Sequence, residues 1–313
     1  MQIYVGIDTS CYTTSVAFID SNGRLLADAR RLLQVAPGKR GLAQAEMVFQ
    51  HVRNLPEVFA AAAAEIPAGA KYGGVAVSAC PRDVAGSYMP VFLVGRGMAR
   101  ILAESHNIAL HEISHQLNHL YAGIWSAGGP RSSRFLAVHA SGGTTEIVLV
   151  REATKVEILG GTIDIAAGQF IDRIGVALGL PFPAGPELER MAADVAPAKL
   201  PVAVKQLTAS FAGPETQARR LIERGTPPAA VAAGVQACVA ESLWRLICNG
   251  TSITGVNEVL LVGGVNANQF IRDYLRAKCE TNKPPIKLYL PEPKYSPDNA
   301  VGAAYFSYCL AHQ

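Results

Sequence analysis

The feature that most constrains the fold of this chain is an internal repeat within its 313 residues. The segment 10–18 reads SCYTTSVAF and the segment 141–149 reads SGGTTEIVL, so both follow S-x-x-T-T-x and then three apolar residues. The two align at a constant offset of 131 residues, and a strand-like apolar segment precedes each. A chance match between two Ser/Thr-rich hairpin turns is the simpler alternative. The equivalent preceding strands favour internal duplication.

Strand-like and helical segments alternate along both halves of the chain. Segments rich in β-branched residues predict strands at 2–9, 13–20, about 25–33 and 72–80. Helical periodicity predicts a helix at about 42–65. After Gly128-Gly129-Pro130 the design returns, with three strand-like segments within 134–164. The sequence therefore predicts an α/β protein with two lobes, residues 1–130 and 131–313.

Composition excludes several classes of protein. Hydrophobic residues make up 50% of the chain and charged residues 17%, which is typical of a packed globular enzyme rather than a disordered chain. The net charge of +3 is too small to indicate a nucleic-acid binder by itself. The six cysteines form no C-x-x-C pair and predict free thiols. Without a leader-like start or an apolar run of about 20 residues, the sequence predicts a cytoplasmic protein with no membrane association.

Glycine turns after buried strands indicate a nucleotide site. In Ser141-Gly142-Gly143 the paired glycines would let backbone N–H groups approach a phosphate, although an isolated turn of this kind is more often a plain tight turn. Near the C-terminus, a second glycine pair joins a strand to a helix that starts near Asn266 and Asn268. Asn268 could offer its amide to a ribose or base, whereas Asn266 is better interpreted as the helix N-cap.

Two carboxylates lie close to a predicted helix that opens around Ala166. These are Asp164 and Asp172, and either could be a solvated surface charge. In a nucleotide cleft Asp172 would face the ligand, and Gly185 of the segment PFPAGP would line the same wall.

Two histidines have the spacing of a metal-binding pair. His115 and His119 would share one face of a helix, although a surface coincidence explains such a pair about equally well. A metalloprotease of the H-E-x-x-H type needs glutamate where Gln116 stands, which disfavours that function. Asp298 is a candidate third ligand, and its alternative role is the N-cap of the last helix. Histidine and carboxylate ligands suit iron or zinc equally.

Taken together, these motifs resemble those of the TsaD family. HxxxH, SGG-x-T, IDxAAGxxxD, P-x-GP, GGVxAN and a terminal DNA element occur in the family's order, and the resemblance extends from Val5 to about Tyr305. It implies a duplicated actin-like ATPase (ribonuclease H-like) fold with a nucleotide cleft between two lobes. It also implies one divalent metal bound by His115, His119 and Asp298.

The resemblance further implies a ligand site and a reaction. The implied phosphate and carbamate site is His139, Ala140, Ser141, Gly142 and Gly143, and the implied nucleotide contacts are Asp172, Gly185 and Asn268. Family members take threonylcarbamoyl-adenylate, which a partner enzyme makes from threonine, bicarbonate and ATP. They transfer its acyl group to N6 of the tRNA adenosine next to the anticodon and release AMP. The implied ligands are therefore ATP, AMP or an acyl-adenylate, and the implied partners are tRNA and an actin-like homologue in a homodimer or heterodimer.

Several residues depart from the family pattern. Tyr12 and Thr13 stand where the family usually has acidic residues, and Thr144 replaces a histidine. A paralogue that acts as a carbamoyl transferase or ATPase on another acceptor is thus an alternative. A non-catalytic partner of an active homologue is another, which the retained HxxxH pair argues against. Basic residues that could form a tRNA track, but are slightly better interpreted as solvated, are Arg30, Arg31, Lys39, Arg40, Arg219 and Arg220.

Overall fold

The chain folds into two α/β units in a computed structural model that describes residues 1–10, 12–35, 42–84, 86–152 and 154–312. The N-terminal unit comprises Met1–Ser126 and Pro297–Gln313, and the C-terminal unit comprises Ala127–Ser296. The predicted boundary after residue 130 lies close to the first of these borders. Residues 297–313, however, group with the N-terminal unit and not with the C-terminal lobe, because the last helix packs against strands of the first sheet.

The N-terminal unit is built around a five-stranded sheet of order β3-β2-β1-β4-β5. Its elements are β1 (Gln2–Asp8), β2 (Thr13–Asp20), β3 (Leu25–Leu32), α1 (Gln44–Ala63), β4 (Lys71–Cys80), α2 (Phe92–His106), β5 (Ala109–Ser114), α3 (His115–Ala127) and α9 (Val301–Ala311). The first three strands form the predicted antiparallel meander, and β4 and β5 run parallel to β1. The predicted hairpin, third strand, first helix and strand at 72–80 are all present.

Helices pack against the apolar residues of this sheet. Val16 and Phe18 of β2 are fully buried and belong to one core cluster with Leu55 and Val58 of α1. The C-terminal helix α9 packs against β1 so closely that a Cβ at Gly6 would overlap the carbonyl oxygen of Ala300. This backbone contact fixes the position of the start of α9 against β1.

The C-terminal unit is built around a seven-stranded sheet of order β12-β11-β6-β7-β8-β10-β9. Its elements are β6 (Phe135–Ala140), β7 (Thr145–Arg151), β8 (Lys155–Thr162), α4 (Ala167–Ala177), α5 (Gly185–Met191), β9 (Ala203–Lys205), β10 (Thr208–Ser210), α6 (Ala212–Glu223), α7 (Pro228–Thr254), β11 (Glu258–Val262), α8 (Gln269–Thr281) and β12 (Lys287–Tyr289). The three strands predicted after residue 130 are β6, β7 and β8.

The sheet of the C-terminal unit repeats that of the N-terminal unit. The order β8-β7-β6-β11-β12 matches β3-β2-β1-β4-β5, with the same antiparallel meander and the same two parallel strands. Even the register is shared: Tyr4 lies opposite Ile19, and Phe135 lies opposite Val150. Both pairs are related by the offset found in the sequence, so the predicted duplication is confirmed.

The longest helix has the composition of a membrane span. Among the described residues, α7 is the one helix long and apolar enough by length and composition, and 72% of its apolar window is buried. Helix α7 packs against α4, α5, α6 and α8, and Val239 and Leu243 are fully buried in the core of this unit. Within this unit its apolar surface serves helix packing.

The cysteines follow the sequence prediction. The five described ones, Cys80, Cys238, Cys248, Cys279 and Cys309, are free thiols, and Cys11 lies outside the described residues. Burial raises the pKa of Cys238 to about 11 and that of Cys279 to about 12. These two thiols therefore stay protonated and serve as small apolar side chains.

Candidate metal centre and nucleotide pocket

The first turn of α3 brings His115 and His119 together. Strand β5 runs directly into this helix, and the hydroxyl of Ser114 caps it by accepting a hydrogen bond from the Leu117 N–H (3.1 Å). Residues four apart then share a face. The Nε2 atoms of His115 and His119 lie 3.0 Å apart, as the spacing predicts.

The carboxylate of Asp298 lies close to both histidines. Its Oδ1 lies 3.4 Å from Nε2 of His115 and 3.4 Å from Nε2 of His119. The alternative role of Asp298 as a helix N-cap is wrong. The N-cap position of α9 is Ala300, and the side chain that accepts a bond from the Val301 N–H is that of Asn299.

The electrostatics of this cluster favour bound positive charge. Burial alone would lower the pKa of His115, but Asp8 and Asp298 together hold it well above its ordinary value. Burial alone would raise the pKa of Asp298, but His115 and His119 hold it well below its usual range. Two imidazole nitrogens this close cannot direct lone pairs at each other without a proton or a cation between them. The three ligand atoms lie within 4.8 Å of one another, and such a nitrogen and carboxylate donor set suits a divalent metal.

Three further residues around His115 were not predicted from the sequence. They are Asp8 at the end of β1, Ser10 in the turn that follows, and Asn118 in α3. Asp8 and Ser10 could have been inferred from topology, because β1, β4 and β5 are parallel and their carboxyl ends meet at the edge where α3 begins. The sequence alone does not establish that these three strands are neighbours.

Ser10, His115 and Asp8 resemble the arrangement of a serine hydrolase. Ser10 Oγ lies 3.4 Å from His115 Nε2, and Asp8 Oδ2 lies 3.2 Å from His115 Nδ1. Ser10, however, is fully buried, and its hydroxyl also lies within hydrogen-bonding distance of Asp8 Oδ2 (3.0 Å). A nucleophile must be accessible and activated by its base. The geometry therefore disfavours a serine nucleophile here.

A cavity of about 510 Å³ lies within the C-terminal unit. Four of the predicted ligand-contacting residues line it: Gly142, Asp172, Gly185 and Asn268. Its other lining residues are mostly glycine and apolar side chains, namely Gly168, Ile171, Phe182, Pro183, Pro186, Glu189, Gly264, Val265 and Ala267. A concave, largely apolar pocket of this size with a few polar groups is typical of small-molecule sites.

The other predicted phosphate-site residues are close to Gly142 in the sequence, but they do not line the cavity. Ala140 is fully buried, and His139 Nδ1 lies 4.0 Å from Glu146 Oε1 on the neighbouring strand. In the turn itself, Ser141 Oγ accepts hydrogen bonds from the Thr144 N–H (3.1 Å) and the Gly143 N–H (3.4 Å). A phosphate would compete with this hydroxyl for those two N–H groups.

The start of α4 holds this turn in place. The Gly168 N–H donates to the Ser141 carbonyl oxygen (3.1 Å), and a Cβ at Gly168 would lie 2.6 Å from that oxygen. Only glycine permits this approach of helix and turn. The turn is therefore held in place before any ligand arrives.

Asp172 and Asn268 are both engaged in local structure. Asp172 Oδ1 accepts a hydrogen bond from the Ala184 N–H (2.8 Å), and burial raises the pKa of this carboxyl group. Asn268 is the N-cap of α8, because its side chain accepts from the Ile271 N–H (2.9 Å). The prediction that Asn266 is the cap is wrong: its buried amide donates to the carbonyl oxygen of Val262 at the end of β11.

Structural contacts hold several of the remaining polar candidates. Asp164 is exposed and accepts hydrogen bonds from the loop leading into α6. Ion pairs join three of the predicted basic residues to carboxylates: Arg30 to Asp28, Arg31 to Glu57 and Arg219 to Glu215. Lys39 and Arg40 lie outside the described residues.

Comparison with known proteins identifies the family. Residues 39–305 match the family model TsaD, described as tRNA N6-adenosine threonylcarbamoyltransferase. The chain belongs to the TsaD family. A family relative from Thermus thermophilus, named tRNA N6-adenosine threonylcarbamoyltransferase, is 31% identical over 286 residues, covering 90% of this chain and 86% of that protein. The resemblance seen in the motifs is thereby confirmed.

Some TsaD relatives are much longer than this chain. A protein of Methanothermobacter thermautotrophicus named probable bifunctional tRNA threonylcarbamoyladenosine biosynthesis protein is 28% identical over 305 residues. The match covers 97% of this chain and 55% of that protein. The chain thus spans about half the length of this bifunctional relative.

Solved structures establish the fold class. HypF of T. kodakarensis superimposes with a TM-score of 0.63 at 15% identity, over 99% of this chain and 48% of that protein. At this identity the match shows the fold alone. The fold is the duplicated actin-like α/β fold that the TsaD resemblance implied.

Proposed function

We propose that this chain is a metal-dependent acyltransferase of the cytoplasm. It transfers a threonylcarbamoyl group from threonylcarbamoyl-adenylate to N6 of the tRNA adenosine next to the anticodon. The observation that supports this best is the convergence of His115, His119 and Asp298 on one point in a chain of the TsaD family. A family member that only pairs with an active homologue has no need of three converging ligands.

The proposed roles begin with the metal ligands. His115 and His119 would each offer a neutral Nε2, and Asp298 would offer Oδ1. A divalent ion held there, iron or zinc, would supply a Lewis acid for a carbonyl oxygen. Because His115 is buried between two carboxylates, it must lose its extra proton before it can serve as a ligand.

The adenylate part of the substrate is proposed to bind in the cavity of the C-terminal unit. Gly142 and Gly264 leave room for a phosphate to approach the backbone, since a Cβ at either position would meet no heavy atom within 4 Å. Asp172 keeps one oxygen on the Ala184 N–H and could accept from a ribose hydroxyl with the other. Phe182 and Pro183 offer apolar surface to a purine ring.

A second candidate function follows from the residues that depart from the family pattern. Tyr12 is 39% exposed and follows the turn at Ser10, at a position where the family pattern has a carboxylate. A changed side chain at this place favours a changed acyl acceptor. The alternative is therefore a carbamoyl transferase or ATPase that uses the same metal and nucleotide sites on another molecule.

The metal ligands provide the test of function. Metal content is measured by mass spectrometry for wild type, His119→Ala and Asp298→Ala, with AMP release from threonylcarbamoyl-adenylate and tRNA modification followed in parallel. Removing one of three ligands should abolish stoichiometric metal and lower transfer at least ~100-fold. His106→Ala, which removes an exposed imidazole from the same unit, should change neither.

The outcomes separate the candidates. A wild-type protein without stoichiometric metal would show that the metal centre is wrong. Metal binding with AMP release but no modified tRNA would overturn tRNA as the acceptor and support the second candidate.

The nucleotide site is tested with two matched glycines. Gly185 and Gly213 both lie in the first turn of a helix in the C-terminal unit, and a Cβ at either meets no heavy atom within 4 Å. Gly185 lines the cavity, so Gly185→Val should weaken AMP binding at least ~10-fold by filling ligand space. Gly213→Val should bind AMP as wild type does in calorimetry. Equal affinities for all three proteins would place the nucleotide elsewhere.

A further inference from the structure

We infer that Asp8 and Asn118 form a buried polar brace that positions the metal ligands without contacting the ion. Asp8 orients the ring of His115, and Asn118 holds the turn that carries Asp298 against the helix that carries both histidines. The inference rests on the proposed metal centre and extends it to two positioning residues that set its metal affinity.

Asp8 is the centre of the brace. It is fully buried at the end of β1, and the backbone N–H of Ser10 and three side chains approach its carboxylate. Oδ1 accepts from the Ser10 N–H (2.9 Å), and Oδ2 lies near Ser10 Oγ (3.0 Å), Asn118 Nδ2 (3.1 Å) and His115 Nδ1 (3.2 Å). A buried carboxylate is stable only when donors surround it. This set provides them.

The contact with His115 selects the tautomer that a metal requires. The ring must bind the ion through Nε2, the atom that faces His119 and Asp298, so its proton has to reside on Nδ1. The Asp8 carboxylate lies 3.2 Å from Nδ1 without a well-aligned hydrogen bond, and its negative charge favours the tautomer that carries the proton on this nitrogen. Partners of this kind typically change metal affinity about 10-fold to 100-fold.

Asn118 connects three segments of the N-terminal unit. Its Nδ2 donates to Asp8 Oδ2 at the end of β1 and to the carbonyl oxygen of Asn299 (2.6 Å), the residue after Asp298. Its Oδ1 accepts from the Ala303 N–H (2.7 Å) in the first turn of α9. Asn118 is 1% exposed, so removal of its amide would leave these buried donors and acceptors without their protein partner.

Helix contact makes this connection rigid. A Cβ at Gly302 would overlap the carbonyl oxygen of Asn118, so α9 lies directly against α3 at this point. The backbone that follows Asp298 is therefore tied to the helix of the two histidines. Loss of the Asn118 amide would release Asp298 from its position 3.4 Å from the two Nε2 atoms.

The experiment measures Co²⁺ affinity by competition with a chelator, together with the visible absorption spectrum of the bound ion. Asp8→Asn keeps an oxygen that can accept hydrogen bonds but loses the charge, and Asn118→Leu keeps similar volume without polar groups. Both should bind Co²⁺ at least ~10-fold more weakly, with a changed spectrum that reports altered ligand geometry. Thermal unfolding of the metal-free proteins measures stability separately.

The matched control is Asp20→Asn. Asp20 is a buried carboxylate of the same unit that accepts hydrogen bonds from the N–H groups of Asn22 (2.8 Å) and Arg24 (2.9 Å) in the turn before β3. It should lose stability but keep wild-type Co²⁺ affinity and spectrum. If Asn118→Leu does not fold, Asn118→Ser tests the same bonds with a smaller change.

Each result decides between the inferences. Weaker Co²⁺ binding by the Asp8 and Asn118 variants, with unchanged binding by Asp20→Asn, supports the brace. Unchanged affinity and spectrum in the folded Asp8 and Asn118 variants would overturn it while leaving the metal centre intact. A wild-type protein that does not bind Co²⁺ would overturn the metal centre and the brace together.

Discussion

Asn266 and Asn268 have different structural roles because their side chains make different hydrogen bonds. Both asparagines lie near the start of α8, and either could cap it. Asn268 has the extended backbone of an N-cap (φ −63°, ψ 121°) and stands three residues before Ile271, whose N–H it accepts. Asn266 is 1% exposed and bonds a strand carbonyl instead. A difference of two positions changes a helix cap into a link between a strand and a turn.

Asp164 shows how one carboxylate holds a loop. Burial opposes its ionisation, but hydrogen bonds from the Ser210 hydroxyl and the N–H groups of Phe211 and Ile165 hold the pKa of Asp164 below its ordinary value. A carboxylate with a depressed pKa adds stability above the unfolded pKa of about 3.9, and this stability is lost as the pH falls through the folded pKa. Its contribution is therefore complete near neutral pH.

Replacing Asp164 by asparagine should lower the free energy of unfolding of the C-terminal unit at pH 7. The expected loss is about 1 kcal/mol, because the side chain is exposed and screened by solvent. Urea unfolding at pH 7 and pH 3 measures it, and the gap to wild type should shrink at pH 3. Asp194→Asn, at another exposed aspartate, should show no gap at either pH. A gap independent of pH would contradict the charge argument.

At the scale of elements, the contact between α3 and α9 decides whether the metal ligands meet. His115 and His119 lie on one helix, and Asp298 directly precedes the other. The two helices approach at Gly302, where a Cβ would overlap the Asn118 carbonyl oxygen. Glycine here permits a helix approach that any larger residue would prevent.

Two glycine-to-alanine substitutions in helices should therefore change the stability of the N-terminal unit in opposite directions. Gly302→Ala should destabilise the N-terminal unit by about 1–3 kcal/mol, since α9 must move away from α3. Gly97→Ala in α2 should stabilise it by about 0.5–1 kcal/mol, because a Cβ there meets no heavy atom within 4 Å and alanine favours the helix. Chemical denaturation of both variants checks the signs. Stabilisation by Gly302→Ala would show that the helix contact is not tight.

At the scale of the whole molecule, the chain returns to the unit in which it started. Helix α9 packs against β1, β2 and β4, although all of the C-terminal unit lies between them in sequence. The N-terminal unit is thus complete only when both ends of the chain are present. Its metal ligand Asp298 arrives on the same returning segment.

A chain truncated after Ser296 should therefore lose the structure of the N-terminal unit and keep that of the C-terminal unit. Removal of α9 exposes the apolar residues that it covers on β1 and β4. Hydrogen exchange followed by mass spectrometry should show lost protection in β1, β4 and β5, with β6, β7 and β11 still protected. Truncation after Ala311 is the control and should leave both units protected. If β1 stayed fully protected in the chain truncated after Ser296, the N-terminal unit would not depend on α9.

Local sequence was sufficient for the repeated architecture. The pattern shared by 10–18 and 141–149 specified two equivalent hairpins, and the structure shows them with matching register. Periodicity also specified α1 and β4 to within a few residues. These features depend on residues adjacent in the chain or related by one fixed offset, which a sequence displays directly.

For the site, the sequence specified residue types and the fold specified their neighbours. Histidine spacing predicted the Nε2 pair, and the glycine motifs predicted residues that line one cavity. The TsaD resemblance already implied Asp298 as the third ligand, and the structure places it 3.4 Å from both Nε2 atoms. Only tertiary structure brought the Asp8 carboxylate beside His115 Nδ1 and gave Asn118 its three bonds. Such contacts join residues more than 100 positions apart, and they form only where strand order and helix packing bring the segments together. The sequence by itself determined which chemical groups are available, and the tertiary structure decided which of them meet.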